Sequence, residues 1–192
     1  MGVVIQEMVD ADAAGVLFTV NPNDGDPSKM ILTANYGLGE SVVSASADPD
    51  TFYVKRTSSG ELSISERTVG AKRSKIVLTN DGTREEIVGE ETSVSFCLSD
   101  EKVIEIGQLG VYLEKAFGGP RDLEFAVSQG LVHLLQVFSF CKFISHFSST
   151  QFVMYLGKTS YRTRFLDGFR TASRIRLPFT DGFRLFNKGE YW

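Results

Sequence analysis

Short apolar runs, separated by turns rich in Gly, Pro, Asn and Asp, fill the first two thirds of the chain. Such runs are typical of β-strands, because side chains of a strand alternate between the two faces of a sheet. The pattern predicts strands at residues 2–9, 14–20, 30–36, 51–55, 61–69, 76–78, 85–88, 121–127 and 131–136. The first run is the most strongly apolar and predicts a buried strand. A domain rarely begins on a central strand, so we also expect further sequence upstream.

One stretch has the period of a helix. Apolar side chains recur at steps of three and four from Val103 to Leu113, the stripe by which a helix packs on a sheet. Ser99 has the character of an N-cap, and glycines with a proline follow Phe117, where a helix would end. We therefore expect one long helix from about Ser99 to Phe117. With the hairpins it predicts an α+β fold with a mostly antiparallel sheet.

Candidate chemistry lies in the hairpin predicted at residues 121–136, whose two apolar runs flank a loop at residues 128–130. Strand alternation places Asp122 and Glu124 on one face. A three-residue loop would put Glu124 opposite Gln136, whereas a two-residue loop would put them one step apart. A carboxylate and an amide oxygen suit Mg²⁺ that is bridged to phosphates. The alternative interpretation is the solvated face of a two-sided sheet.

The hairpin sequence Asp-Leu-Glu-Phe-Ala, followed by Leu-Gln twelve residues after the glutamate, resembles a known family. It is similar to the closing hairpin of the nucleotide-binding domain of phosphoenolpyruvate synthases, pyruvate phosphate dikinases and rifampicin phosphotransferases. The resemblance covers about residues 2–136 in one order. Its further motifs lie at residues 4–9 with 14–19, residues 37–43, and residues 48–54.

The resemblance implies the ATP-grasp fold, of which this chain would hold the C-terminal part. It implies that Glu124 and Gln136 bind Mg²⁺ and the phosphates of ATP, and that Glu40 lies near the nucleotide, at the ribose. It assigns contact with adenine to four residues of the first run: Gln6, Glu7, Met8 and Val9. Periodicity alone favours a plain core role for Met8 and Val9.

The reaction implied by the resemblance is phosphorylation of a carrier histidine by ATP, with release of AMP and phosphate. The phosphoryl group then passes to pyruvate or another acceptor. The family uses a lysine and an arginine from the first half of the domain, and a separate swivelling domain with the histidine. We expect neither part in this chain. Its two histidines do not fit a carrier site, because His133 lies mid-strand and neither His133 nor His146 has the glycine-rich context of such a site.

The chain departs from the family directly after Gln136. There the family has a small residue, then an arginine that contacts the transferred phosphates, then a proline. This chain has Val137, Phe138 and Ser139. The hairpin thus favours an ATP-binding part of a phosphotransferase, whereas Phe138 favours a truncated, non-catalytic remnant. A third hypothesis, a sugar- or nucleic-acid-binding β module, predicts binding without metal and indifference to Glu124→Ala.

Charge divides the chain near the same point. Residues 1–136 carry 11 Lys and Arg against 21 Asp and Glu, a net charge of −10, whereas residues 137–192 carry 9 against 3, a net of +6. The second part also holds ten of the 15 phenylalanines. We expect a nucleotide-binding part at residues 1–137 and an atypical, poorly packed tail at residues 138–192. A basic, aromatic tail also fits nucleic acid or a membrane surface, but we expect neither partner.

The remaining features suggest a cytoplasmic protein. No apolar run approaches the length of about 18 residues that a membrane span needs, and no secretory signal is visible. Cys97 and Cys141 lack metal-ligand spacing and fit thiols in a reducing compartment. The basic cluster at residues 72–75 fits either a phosphate patch or a solvated hairpin end, and charge runs favour the latter.

Overall fold

The computed structural model describes residues 5–44 and 47–140, together with the backbone of residues 183–184. All of these belong to one unit of the chain. The elements, in chain order, are β1 (Ala13–Phe18), β2 (Lys29–Tyr36), α1 (Glu40–Val43), β3 (Asp50–Arg56), β4 (Leu62–Thr68), β5 (Ser74–Thr79), β6 (Gly82–Ile87), α2 (Glu90–Ser93), α3 (Asp100–Phe117), β7 (Arg121–Ser128), β8 (Leu131–Ser139) and β9 (Phe183–Arg184).

Seven strands form one sheet in the order β4-β3-β2-β1-β7-β8-β9. Every neighbouring pair is antiparallel except the short pairing of β9 with β8, which is parallel. Strands β5 and β6 form a separate hairpin, fastened to the turn after β2 by a hydrogen bond from Leu38 N to Ile76 O (2.8 Å). The expected α+β fold, a mostly antiparallel sheet with one long helix, is confirmed.

Helix α3 packs on one face of the sheet, here called the helix face. Ser99 Oγ accepts a hydrogen bond from Lys102 N (3.3 Å), and Gly118 ends the helix in the left-handed conformation (φ 73°). A Cβ at Gly110 would lie 2.8 Å from a methyl group of Leu17, so glycine allows the helix to approach β1 closely. The opposite face, which carries Val16 and its cross-strand partners, is called the far face.

The prediction of a buried strand at the start of the chain is wrong for residues 5–9. These residues form neither strand nor helix, and the side chains of Ile5 and Met8 are 91% and 59% exposed. A strand needs a partner for its backbone groups. The first strand of the sheet begins at Ala13, and its two edges are taken by β2 and β7. Residues 2–4 lie outside the described part.

The prediction that residues 72–75 form a solvated hairpin end is wrong for Lys72. Its side chain is fully buried, and Nζ lies 2.6 Å from Oδ1 of the equally buried Asp50. The backbone at Lys72 has a φ of 37°, in the left-handed region. Only the next residue, Arg73, is exposed as expected.

Other predictions concern residues that lie partly outside the described part of the chain. Within the described residues, no helix is long and apolar enough to cross a membrane. Cys97 is a partly buried free thiol, and His133 is buried within β8. Cys141, His146 and nearly all of the tail at residues 138–192 lie outside the described residues, so the tail and its boundary stay predictions.

Candidate functional site

The hairpin of β7 and β8 places Glu124 directly opposite Gln136. Its loop has two residues, Gln129 and Gly130, with φ of 50° and 75°, the conformation that suits the twist of a tight hairpin. A two-residue loop alone would leave Glu124 and Gln136 one step apart. A β-bulge after Glu124 shifts the register by one residue and leaves Leu135 without a partner on β7. The bulge thereby brings the two oxygen-bearing side chains into register.

Glu124 and Gln136 lie on the far face. Glu124 pairs on its other side with Val16 of β1 and is partly buried, whereas Gln136 is exposed. Burial raises the pKa of Glu124 above its ordinary value. A carboxylate that loses hydration in this way favours a nearby cation.

Asp122 is a second carboxylate on the same face, two residues before Glu124. Its cross-strand partners are Phe18 on β1 and Phe138 on β8, so that an aromatic residue lies opposite it on each adjoining strand. Its Oδ1 atom is buried and has no hydrogen-bond partner within the described residues. Burial, and then the charge of Glu124, raise the pKa of Asp122 to about 6. A buried carboxylate oxygen without a donor is a natural position for a cation.

The donor set fits Mg²⁺ that is also bound to water and phosphate better than it fits a metal ion whose ligands all come from the protein. Among the described residues, no group of three or more His, Cys, Asp or Glu side chains could hold a metal ion. Two carboxylates and one amide oxygen are hard donors, and Mg²⁺ is commonly bound by one or two carboxylates with the rest supplied by water and phosphates. The site therefore suits an ion that arrives with a phosphate ligand.

Glu40 lies on the same side of the sheet. It is the exposed first residue of α1, and a Cβ at the preceding Gly39 would lie 3.6 Å from Cβ of Ala14. Ala14 pairs with Ala126, which is two residues from Glu124. Helix α1 is thus placed over the far face near the hairpin, and the ribose role of Glu40 stays a prediction.

The four residues expected to contact adenine lie in the segment that leads into β1. Gln6, Glu7 and Met8 are exposed and Val9 is partly buried. A segment outside the sheet does not use its backbone groups in strand pairing, so a ligand can bond to them. Their roles stay predictions.

Asp122 is the residue that sequence reasoning missed. The strand alternation placed it on the face of Glu124, but it received no binding role. The signal that could have found it is its position opposite Phe138, because a phenylalanine side chain has no donor to offer a neighbouring carboxylate. That signal depends on the register, which the bulge sets.

Phe138→Arg is expected to lower the pKa of Asp122 from about 6 towards or below its ordinary value, because an arginine would place a cation across the ladder. An acid whose pKa is raised on folding is most stabilising below its unfolded pKa, and stability is lost as pH rises through the folded pKa. In the wild type this loss falls between about pH 4 and 6. NMR titration of the Asp122 carboxyl measures the shift.

Asp122→Asn is the matched control for the pH dependence of stability, because it removes the titrating carboxyl group. Its stability relative to wild type should rise by about 1 to 2 kcal/mol from pH 4 to pH 7, a figure reduced for partial exposure of the side chain. Urea unfolding at both pH values measures this. An unchanged pKa of Asp122 in Phe138→Arg would show that the side chain opposite it on β8 does not reach its carboxyl group.

Comparison with known proteins gives consistent matches. Residues 1–141 match the family of the pyruvate phosphate dikinase AMP/ATP-binding domain. Over 136 residues, or 71% of this chain, the sequence is 38% identical to the "Uncharacterized phosphotransferase YvkC" of Bacillus subtilis and 37% identical to a "Probable phosphoenolpyruvate synthase" of Methanothermobacter thermautotrophicus. Over 137 residues it is 37% identical to a rifampicin phosphotransferase of Streptomyces sp. These matches span only 16%, 19% and 15% of the three relatives, respectively.

Proposed function

The chain belongs to the family of the pyruvate phosphate dikinase AMP/ATP-binding domain, and we propose that it binds the magnesium complex of ATP on the far face of its sheet. The observation that carries the proposal is the in-register pair Glu124–Gln136 beside the unpaired, buried carboxylate oxygen of Asp122. These three hard oxygen donors lie on one face of the hairpin, Gln136 opposite Glu124 and Asp122 two residues before it.

Each hairpin residue has a separate role in this proposal. The carboxylate of Glu124 and the amide oxygen of Gln136 hold the Mg²⁺, and Asp122 adds a second negative charge beside it. The ion, when bound, neutralises phosphate charge during phosphoryl transfer. Burial of the two acids strengthens their attraction for a cation, because charges interact more strongly where water is excluded.

The nucleotide's other end is assigned to the segment before β1 and to α1. We place adenine against Gln6, Glu7, Met8 and Val9, where Met8 offers an exposed apolar side chain for the base. Glu40 is placed at the ribose as an accessory acceptor, because it begins α1 on the far face. This arrangement runs the nucleotide along one side of the sheet.

The reaction of the whole protein is proposed by analogy with the named relatives. We infer an ATP-dependent phosphotransferase that phosphorylates a carrier histidine, releases AMP and phosphate, and passes the phosphoryl group to pyruvate or another acceptor. A carrier histidine must travel between two sites. His133 is fixed in the ladder of β8, so we place the carrier, and the cations for the phosphates, in parts of the protein other than residues 5–140.

A second candidate function is a module that keeps the fold but has lost nucleotide binding. Phe138 favours it, because an aromatic ring occupies the position where the family resemblance places an arginine. The net charge of −10 over residues 1–136 also repels ATP at long range. Titration with ATP separates the two candidates.

Glu124→Ala is expected to weaken Mg-ATP binding by roughly tenfold to 100-fold, because it removes a charged ligand contributing about 1.5 to 3 kcal/mol. Isothermal calorimetry on the 192-residue chain measures this, with Mg-ATP raised to millimolar concentration. ATP in the presence of a chelator should bind the wild type about as weakly as Mg-ATP binds the variant.

Glu85→Ala is the matched control, since it removes the same charge from an exposed position on β6. It should leave the dissociation constant within about twofold of wild type. No heat from the wild type at millimolar Mg-ATP would favour the non-binding module. Equal affinities for Glu124→Ala and Glu85→Ala would remove Glu124 from the site.

A further inference from the structure

Asp12, the residue immediately before β1, uses three polar groups to join separate segments. Its amide N donates to Val127 O (2.8 Å), and its carbonyl O accepts from Gly37 N (2.9 Å). Its side-chain Oδ2 accepts from Gln129 N (2.7 Å). Asp12 therefore connects the tip of the β7–β8 hairpin with the turn that leads into α1.

The side-chain bond is the specific one of the three. Gln129 lies in the exposed two-residue loop, outside the β7–β8 ladder, so its amide bonds either to water or to an acceptor from another segment, here Asp12. A carboxylate is a strong acceptor for such an amide. The bond fixes the orientation of Asp12 relative to the hairpin tip, in addition to the two backbone bonds that any residue could make.

The segment upstream of Asp12 lies outside the sheet and is largely exposed. Residues 5–11 form no helix or strand, and Ile5 and Met8 are largely exposed. Val9 is three residues from Asp12, a span of at most about 11 Å. Residues 6–9 therefore begin within about 11 Å of a residue that is bonded to the hairpin tip.

We propose that Asp12 is a positioning residue for the nucleotide: its carboxylate, bonded to the hairpin tip, fixes the point from which residues 6–9 leave β1. This inference rests on the proposed function. Asp12 acts through the segment and does not itself contact ATP. It makes the adenine segment and the Glu124–Gln136 hairpin parts of one rigid arrangement.

Asp12→Ala is expected to bind Mg-ATP about fivefold to tenfold more weakly than Asp12→Asn. Both variants lose the same charge, but the asparagine Oδ1 can still accept the bond from Gln129 N. Calorimetry on the full chain measures the affinities, and the melting temperatures of the two variants should agree within about 2 °C. Asp24→Ala, which removes a carboxylate–amide bond to Asp26 N (2.8 Å) in another loop, should leave the affinity unchanged.

A measurement without ligand accompanies the titration. In ¹⁵N relaxation experiments, the order parameters of residues 6–11 should fall in Asp12→Ala and stay at the wild-type level in Asp12→Asn. If the wild type binds Mg-ATP but the two variants match in affinity and order parameters, the role of Asp12 is overturned and the proposed function stands. A melting temperature that falls in Asp12→Ala alone also overturns it, as a stability effect. If the wild type binds no Mg-ATP, the proposed function fails, and the nucleotide role of Asp12 fails with it.

Discussion

Removing either half of the Asp50–Lys72 pair is expected to lower the free energy of unfolding by about 3 to 5 kcal/mol. Both side chains are fully buried, with Lys72 Nζ 2.6 Å from Asp50 Oδ1. Asp50 also accepts from Gly70 N (2.9 Å) and Cys97 N (2.7 Å), and Lys72 Nζ donates to Gly70 O (3.0 Å). Either substitution leaves a buried charge with no opposite charge beside it. The loss is a large part of the roughly 5 to 15 kcal/mol that stabilises a typical domain.

Urea unfolding followed by circular dichroism measures this for Lys72→Met and Asp50→Asn. The double variant should lose clearly less than the sum of the single losses, because it leaves no unpaired charge in the core. Lys75→Met is the control from the same basic cluster. Its partly exposed pair with Glu86 (3.7 Å) should contribute less than about 1 kcal/mol. Additive losses in the double variant would contradict the pairing argument.

The same pair shows where the sequence misleads. A basic cluster gives no sign of which lysine turns inward, because that depends on a backbone turn at Lys72 and on an acid 22 residues earlier in the chain. The apolar run at the start of the chain misleads for a related reason. Its composition suits a buried strand, but burial as a strand needs an edge to pair with, and both edges of β1 are occupied.

Features fixed by local pattern were predictable. Helix α3 has its stripe, its N-cap Ser99 and its terminal Gly118 close together in sequence, and the structure places all three as expected. The antiparallel hairpins follow from alternation and turn residues in the same way. The α+β fold could therefore be predicted without knowledge of distant contacts.

The candidate site was predictable only in part. The hairpin pattern predicts that Glu124 and Gln136 lie near each other. Their direct pairing depends on a β-bulge after Glu124, which the turn residues do not predict. Asp122 depends on the same register, since its neighbours on the adjoining strands, Phe18 and Phe138, offer its buried oxygen no side-chain donor. Pairing between strands distant in sequence thus decides which acids are buried and have a raised pKa.

Gly15→Ala tests the packing of β1 between β2 and β7. Strand β7 carries Asp122 and Glu124. A Cβ at Gly15 would lie 2.0 Å from Thr33 O, 2.9 Å from Ala34 Cα and 2.9 Å from a ring carbon of Phe125. Two of these atoms are backbone, so a rotamer change in Phe125 cannot relieve the clash. We expect a loss of about 3 kcal/mol or more in the free energy of unfolding.

The loss should be accompanied by faster hydrogen exchange in β2 and β7, because each strand must move away from β1 to admit a methyl group at Gly15. Gly89→Ala is the matched control, since its φ is −63° and a Cβ there meets no atom within 4 Å. Its free energy of unfolding should stay within about 0.5 kcal/mol of wild type. If Gly15→Ala were equally neutral, the strands around Gly15 would be packed less closely than the distances above indicate. The register that aligns Val16 with Glu124 would then be less tightly fixed than the proposed magnesium site requires.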